Sequence, residues 1–294
     1  VTAVYLRLLG HEISNGGFVL DVNETPDPEE FEDAYMRYAN ARVCPPRPAE
    51  KTYRVRGTKE PFYTLNVIDG IMSVSAVQKV AKQYQASITE YLNAVLLYSL
   101  LQKQEHDFHL RLRPVRIAMP VNLRRFFPSK TLRNFITMVY PSIDPRLGDY
   151  TFEEIVTQVH HYMRYYINSK FLRGDITTNA STQRNPLIRI VPLFLKDFVV
   201  RQFYQRVQDK NSSAGLTNMG AIRVPVDMKP YLERFDIYMG IPYSQRTNCA
   251  IVSFEDTLTV NFASCIIEAD VERRFFQKLV EDGIPVTIES NREL

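Results

Sequence analysis

From about residue 62 onward, helix-period and strand-period patterns alternate along the chain, and that alternation restricts it to a mixed α/β fold. Phe62 to Met72 reads as a strand. Val74, Val77, Val80, Ala81 and Tyr84 then fall at helical spacing. Ser87 with Glu90 three residues on is a capping box, in which each side chain satisfies a backbone N–H that the first helical turn leaves without a partner. It opens a second helix with Leu92, Val95, Leu96 and Leu100 inward. Strands follow at about 114–121 and 135–141. Thr151 with Glu154 is another capping box, and it opens a long amphipathic helix carrying Phe152, Ile155, Val159, Tyr162, Met163 and Tyr166. Residues 173–185 are polar and read as a loop, and Pro192 to Tyr204 reads as a helix. Asn248–Phe254 and Thr257–Phe262 flank Glu255 and Asp256 as a hairpin. In its second arm Leu258, Val260 and Phe262 alternate with Thr257, Thr259 and Asn261, the pattern of a half-buried strand. A helix near 270–281 stops at Gly283. No repeat and no low-complexity segment interrupts this order.

The first sixty residues read differently. Val4, Tyr5, Leu8 and Leu9 share one face of a helix that Gly10 ends. This helix starts at residue 1 without a cap, as expected of a chain cut inside a domain. A second helix begins at Asp27, a cap, followed by Pro28 at the first helical position and by Glu29 and Glu30 at the positive end of the dipole. Phe31, Ala34, Tyr35 and Tyr38 form its apolar face. Pro45, Pro46 and Pro48 make a stiff linker. The expected organisation is therefore residues 1–60 as the tail of one lobe plus a linker, and residues 61–294 as a second lobe.

Composition narrows the function classes. A length of 294 residues is near the upper size for one hydrophobic core. With 36 bases against 33 acids the net charge is only +3, which gives no global reason to expect nucleic acid or an anionic membrane as partner. Tyr91 to Leu101, the longest apolar stretch, contains Asn93 and is too short to span a bilayer. Cys44, Cys249 and Cys265 are widely spaced with no C-x-x-C pair, so neither structural zinc nor a disulfide framework is expected. Such thiols fit a reducing, cytoplasmic compartment. There is no Gly-rich phosphate loop, no G-x-S-x-G elbow and no paired-carboxylate signature.

The densest chemistry lies at residues 116–135. An apolar strand, Val115 to Val121, runs straight into Asn122, Leu123 and Arg124. Arg125, Lys130 and Arg133 follow, with Phe126 and Phe127 between them. Strands that end in polar, cationic loops are where sites are commonly built. The bases and aromatics can be read as a phosphate-facing loop for coenzyme A or a pantetheine arm, as a single-strand nucleic-acid platform, or as a solvated loop around one structural arginine. Arg125, Lys130 and Arg133 are assigned to the last of these, and the near-neutral chain argues against nucleic acid.

The order of elements resembles the second lobe of the chloramphenicol-acetyltransferase-like superfamily, which includes nonribosomal peptide condensation domains and alcohol acetyltransferases. The resemblance rests on Ala81-Lys-x-Tyr84, Thr89-Glu-Tyr-Leu92, Met119-Pro-Val-Asn-Leu-Arg124 and Thr217-Asn-Met-Gly220, and it covers about residues 60–294. It implies a mixed β-sheet with packed helices, plus a remnant of a first lobe. It also implies an acyltransferase that moves an acyl group from a thioester, acyl-CoA or carrier-bound pantetheine, to a small-molecule hydroxyl or amine acceptor. An acyl carrier protein is then a possible partner, and no metal or tightly bound cofactor is expected. In the family a first-lobe H-H-x-x-x-D-G motif supplies the general base, and its Asp pairs with an Arg of the other lobe. Arg124 matches that Arg. Asn122, Asn134, Thr217, Asn218 and Gly220 fall near the implied acyl or acceptor channel. The alternative for Asn134 and for the 217–220 segment is turn chemistry, because Asn and Gly tolerate positive φ.

The motif itself does not occur in this chain. His11-Glu-Ile-Ser-Asn15-Gly16 has related spacing but has Asn in place of Asp and follows a helix, so a turn role competes with a catalytic one. His160 and His161 are followed by Tyr165 and Tyr166 where Asp and Gly would stand, within an amphipathic helix. His106 and His109 sit in an expected loop without further metal ligands. The expectation is therefore that the catalytic His lies upstream of Val1. A non-catalytic condensation-like module that binds acyl groups or another protein is the alternative.

Overall fold

All eight strands of the described residues join one sheet, in which the first strand pairs with the seventh, nearly two hundred residues away. The computed structural model describes residues 1–21, 23–42, 50–62, 64–107, 111–184, 197, 211–242 and 245–292. Its strands are β1 (Asn66–Ser73), β2 (Val115–Asn122), β3 (Ile136–Val139), β4 (Ser142–Ile143), β5 (Ala214–Ala221), β6 (Thr247–Phe254), β7 (Thr257–Ser264) and β8 (Thr287–Ser290). They lie in the order β3-β2-β5-β6-β7-β1-β8, with β4 also paired to β2. β2, β5 and β6 run parallel, and the other neighbours are antiparallel.

The helices are α1 (Thr2–Leu8), α2 (Ala34–Tyr38), α3 (Val74–Gln83), α4 (Ile88–His106), α5 (Phe152–Tyr166), α6 (Ser169–Arg184) and α7 (Asp270–Glu281). Both capping boxes form, at Ser87–Glu90 and at Thr151–Glu154. α4 touches β2, α5 and α7 together. This triple contact buries Tyr91, Asn93, Ala94 and Leu97 as well as the inward face expected from the sequence. Each fully buried leucine contributes about 1.5–3 kcal/mol relative to exposure, so α4 is the centre of the core. On α7, Phe275 and Phe276 meet Phe262 of β7 edge-on at centroid distances of 5.1 and 5.6 Å.

Four expectations change. Residues 169–184 form α6 rather than a loop at 173–185. Asn168 Oδ1 accepts from the N–H groups of Lys170 and Phe171, and Leu172, Ile176 and Ala180 make a narrow buried stripe at four-residue spacing. The helix expected from Pro28 breaks in two: a 3-10 turn at Pro28–Phe31 is followed by α2, which Asp33 recaps through the Tyr35 N–H, and Phe31 is exposed. The first strand begins at Asn66 rather than Phe62. β7 is buried on both faces rather than half-buried. Thr259 and Asn261 are covered by residues 235–238: Thr259 Oγ1 donates to Phe235 O, and Asn261 Oδ1 accepts from the Ile237 N–H. The helix expected at 192–204, the linker at 45–48, Cys44 and His109 lie outside the described residues, Asp197 excepted.

Candidate functional site

β2 ends where its chain leaves the parallel neighbour. β2 and β5 pair at Ile117–Ala214 and Ala118–Gly215, and from Met119 onward β2 pairs with β3 instead. The strand therefore delivers Asn122 and Arg124 to the C-terminal edge of the parallel strands. Asn122 Oδ1 accepts from the Arg124 N–H at 3.1 Å and opens the 3-10 turn Leu123–Arg125, with Leu123 fully buried beneath it.

The Arg124 guanidinium turns back over the loop that follows. Nε and Nη2 donate to Thr131 O at 3.2 and 2.7 Å, and Nη2 also donates to Arg133 O at 2.6 Å. Nη1 takes no part in these bonds. Among the described residues no carboxylate lies within 4 Å of this guanidinium, so its bonds there are to carbonyls. Thr131 is buried, and its Oγ1 donates to Glu32 O at 2.6 Å; the Leu132 N–H donates to Glu30 O at 2.8 Å. Tyr35 and Tyr38 of α2 reach the same loop through hydroxyl bonds to Ile136 O and Pro128 O. Their rings pack on Phe135 and Phe127, at 5.2 and 5.1 Å between centroids. The 116–135 run is thus a clasp that holds α2 against the sheet. Lys130 pairs with Asp27 at 2.7 Å, and that bond together with the Glu29 N–H holds the Asp27 carboxyl below the usual range. Arg125, Arg133, Asn122 and Asn134 are exposed.

The second part of the site lies at the end of β5. Thr217 is opposite Ala250 of β6 and half-buried. The register then slips between Asn218 and Ala221. Gly220 has φ +74 with open space around it, so backbone conformation rather than crowding calls for glycine there. Asn218 Oδ1 accepts from the Gly220 N–H at 2.8 Å, which is turn chemistry, while its Nδ2 donates to Thr89 Oγ1 at 2.8 Å and ties the bulge to the first turn of α4. In the sequence Thr89 stands out only as part of the Thr89–Leu92 segment; nothing local marks this role, which comes from a hydrogen bond to a residue 129 positions away. The next residue, Glu90, is buried. Burial raises its carboxyl, but bonds from Ser87 and the nearby His160 outweigh that and leave it below the usual glutamate range.

The histidines are engaged elsewhere. The His11 ring packs against Tyr231 at 4.2 Å with a 36° tilt, and Asn15 of the same segment accepts from Arg7 Nη2 at 2.6 Å, which ties the segment to α1. His160 Nδ1 lies 3.4 Å from Glu90 Oε2, and His106 Nδ1 bonds Gln102 O at 2.9 Å. Cys249 is a buried thiol that desolvation pushes far up, which makes it a poor nucleophile. Among the described residues no group of three or more His, Cys, Asp or Glu side chains could hold a metal, and no helix is long and apolar enough to cross a membrane.

No protein-family model and no curated protein matches the chain. Solved structures do. The TRI3 trichothecene 15-O-acetyltransferase from Fusarium sporotrichioides superposes on 90% of this chain with a TM-score of 0.52 at 17% identity. A nonribosomal peptide synthetase, FmoA3, superposes on 81% with a TM-score of 0.51 at 11% identity. A structure of condensation-domain-mediated chain release from the enacyloxin polyketide synthase matches 76% of the chain at 14% identity, with a TM-score of 0.46. This chain spans 54%, 23% and 42% of those three proteins, respectively. With its mixed sheet and helices packed on α4, the chain shares its fold with the TRI3 acetyltransferase and the FmoA3 synthetase over the matched residues.

Proposed function

We propose that this chain is part of an acyltransferase that moves an acyl group from a thioester to a hydroxyl or amine acceptor. The observation that carries the reading is the placement of Arg124. It sits at the C-terminal end of β2, its Nε and Nη2 are fixed by carbonyls, and its Nη1 is left to meet a carboxylate. In this reading the carboxylate is the Asp of an H-x-x-x-D-G motif supplied by a first lobe, and the pair holds the loop that carries the catalytic His. That His takes the acceptor's proton as the acceptor attacks the thioester carbonyl, and such a base contributes roughly 10²–10⁴-fold. Asn122, Asn134, Thr217, Asn218 and Gly220 border the acyl or acceptor channel. The donor is acyl-CoA or pantetheine on a carrier protein. That an acetyltransferase and a nonribosomal peptide synthetase share this fold supports the acyl-transfer reading.

A second reading, a non-catalytic module that binds acyl groups or a protein, is favoured by the histidines, since His11 packs against Tyr231 and His160 sits beside Glu90. The experiment is thioester turnover by the longest protein that contains this chain, with acetyl-CoA and with a pantetheine thioester. Turnover that disappears when the His of an H-x-x-x-D-G motif is replaced is the expected result and sinks the binding-only reading. Undiminished acyl-CoA binding with no turnover from either donor sinks the acyltransferase.

A further inference from the structure

At the end of the sheet opposite Asn122 and Asn218, five arginines line one cleft. Residues 52–56 run extended beside the start of β2, with the Tyr53 N–H donating to Pro114 O at 2.9 Å. Side chains alternate along such a segment. Tyr53 and Val55 are 2% and 4% exposed, which turns Arg54 and Arg56 outward. Arg111 and Arg113 precede β2, and Arg246 precedes β6. With Gly57 these residues enclose a cleft of ≈ 410 Å³. An eight-residue strand is about 23 Å long, so the cleft is a full strand length from the Arg124 clasp.

Among the described residues, the carboxylates beside this cleft are already engaged by other groups. Asp107 accepts from the Tyr53 hydroxyl at 2.7 Å and pairs with Lys103 at 3.1 Å; Lys103 also pairs with Asp270 at 2.9 Å. Glu268, at the Gly57 rim, accepts from the Thr58 N–H and hydroxyl at 2.7 and 2.8 Å. Among the described residues no carboxylate lies within 4 Å of the guanidinium groups of Arg56, Arg111, Arg113 or Arg246. Gathering like charges in one concave wall opposes folding unless a counter-charge is bound, and low-dielectric walls concentrate the field inside a cleft.

We propose that this cleft binds a small molecule bearing two or more phosphate groups. Planar guanidinium forks match phosphate oxygens in pairs, whereas one carboxylate would leave most of the charge unmatched. The volume lies within the range of small-ligand pockets. A single-stranded nucleic acid is disfavoured because the cleft's aromatic ring, Tyr53, is buried and offers no stacking face. The site is independent of the acyl-transfer reading.

The test is calorimetric titration of the 294-residue chain with inorganic pyrophosphate, tripolyphosphate, ADP, orthophosphate and a single-stranded oligonucleotide, all at one ionic strength. Pyrophosphate is expected to saturate at one site and to raise the melting temperature, with orthophosphate at least about tenfold weaker. Arg56→Gln and Arg246→Gln should each weaken pyrophosphate about tenfold, while Arg125→Gln, at the other end of the sheet, should leave it unchanged. Arg246→Lys, which keeps charge but loses the fork, should fall between. ADP binding as tightly as pyrophosphate identifies a nucleotide source; pyrophosphate alone identifies the free anion. Non-saturable binding by the unaltered chain overturns the proposal. So does equal affinity for orthophosphate, undiminished binding by the folded Gln variants, or an oligonucleotide that outcompetes tripolyphosphate.

Discussion

Arg124 directs its guanidinium at two main-chain carbonyls, one of them on the buried Thr131, and bonds from a charged donor are worth about 1.5–3 kcal/mol. Arg124→Ala should therefore lower unfolding stability by about that amount. Arg124→Lys should recover less than half of it, because a point charge cannot bridge both carbonyls. Denaturant midpoints check this, and full rescue by lysine would show that charge alone matters. Glu272 supplies the pH test. It is 2% exposed and accepts from Thr247 Oγ1 at 2.6 Å, and burial pushes its carboxyl above the usual range against the pull of that bond. As pH rises through the ordinary glutamate range, the unfolded chain releases this proton while the folded chain keeps it. Stability is then lost with rising pH, by at most about 1.4 kcal/mol per unit, until the folded carboxyl also ionises. Glu272→Gln keeps the acceptor and removes the titration. Its stability relative to the parent chain should grow from pH 4 to pH 7, and parallel curves over that interval would contradict a raised carboxyl.

Elements whose signals are local were legible in the sequence; those defined by a distant partner were not. Ser87 and Thr151 announced α4 and α5 because both halves of a capping box lie within four residues. α6 was hidden because its stripe of Leu172, Ile176 and Ala180 is one residue wide in a polar stretch. The burial of Thr259 and Asn261 was illegible for another reason: the covering residues 235–238 have no periodicity. The clasp was half legible, since the run 116–135 marked itself by composition but gave no sign that Tyr35 and Tyr38 would close on it. Gly70 belongs with the hidden features. A Cβ there would lie 2.1 Å from Cε1 of Phe276, so α7 crosses β1 where only glycine fits. Gly70→Ala should cost about 1–3 kcal/mol as overpacking. Pairing it with Phe276→Leu should recover part of the loss, a non-additivity that a double-mutant cycle measures. Strict additivity would mean that the ring moves aside without strain.

At the scale of the whole molecule, the question is whether residues 1–42 and the sheet layer open together. Two sets of contacts join them. Ala3, Leu6 and Ile13 form a small cluster with Met228, separate from the main core, and Ser14 N–H donates to Asp227 at 2.6 Å. α2 lies between the clasp and α6, with Ala34 and Ala39 in the main core and the Ala41 N–H donating to Thr177 Oγ1 at 3.0 Å. The Tyr35 hydroxyl satisfies both the N–H and the C=O of Ile136, and the Tyr38 hydroxyl bonds Pro128 O. Replacing both tyrosines by phenylalanine leaves these main-chain groups without partners, at about 1–3 kcal/mol for each buried one. Contacts this few should give way before the core does. Hydrogen exchange in the Tyr35→Phe, Tyr38→Phe chain should thus accelerate at the Leu132 amide, which donates across the clasp to Glu30 O, far more than at Leu96 in the buried heart of α4. Equal acceleration at the two amides would mean that the clasp opens only when the whole chain unfolds. Residues 1–42 and the sheet would then be one cooperative unit, and Arg124 would be anchored by the entire core rather than by its own loop.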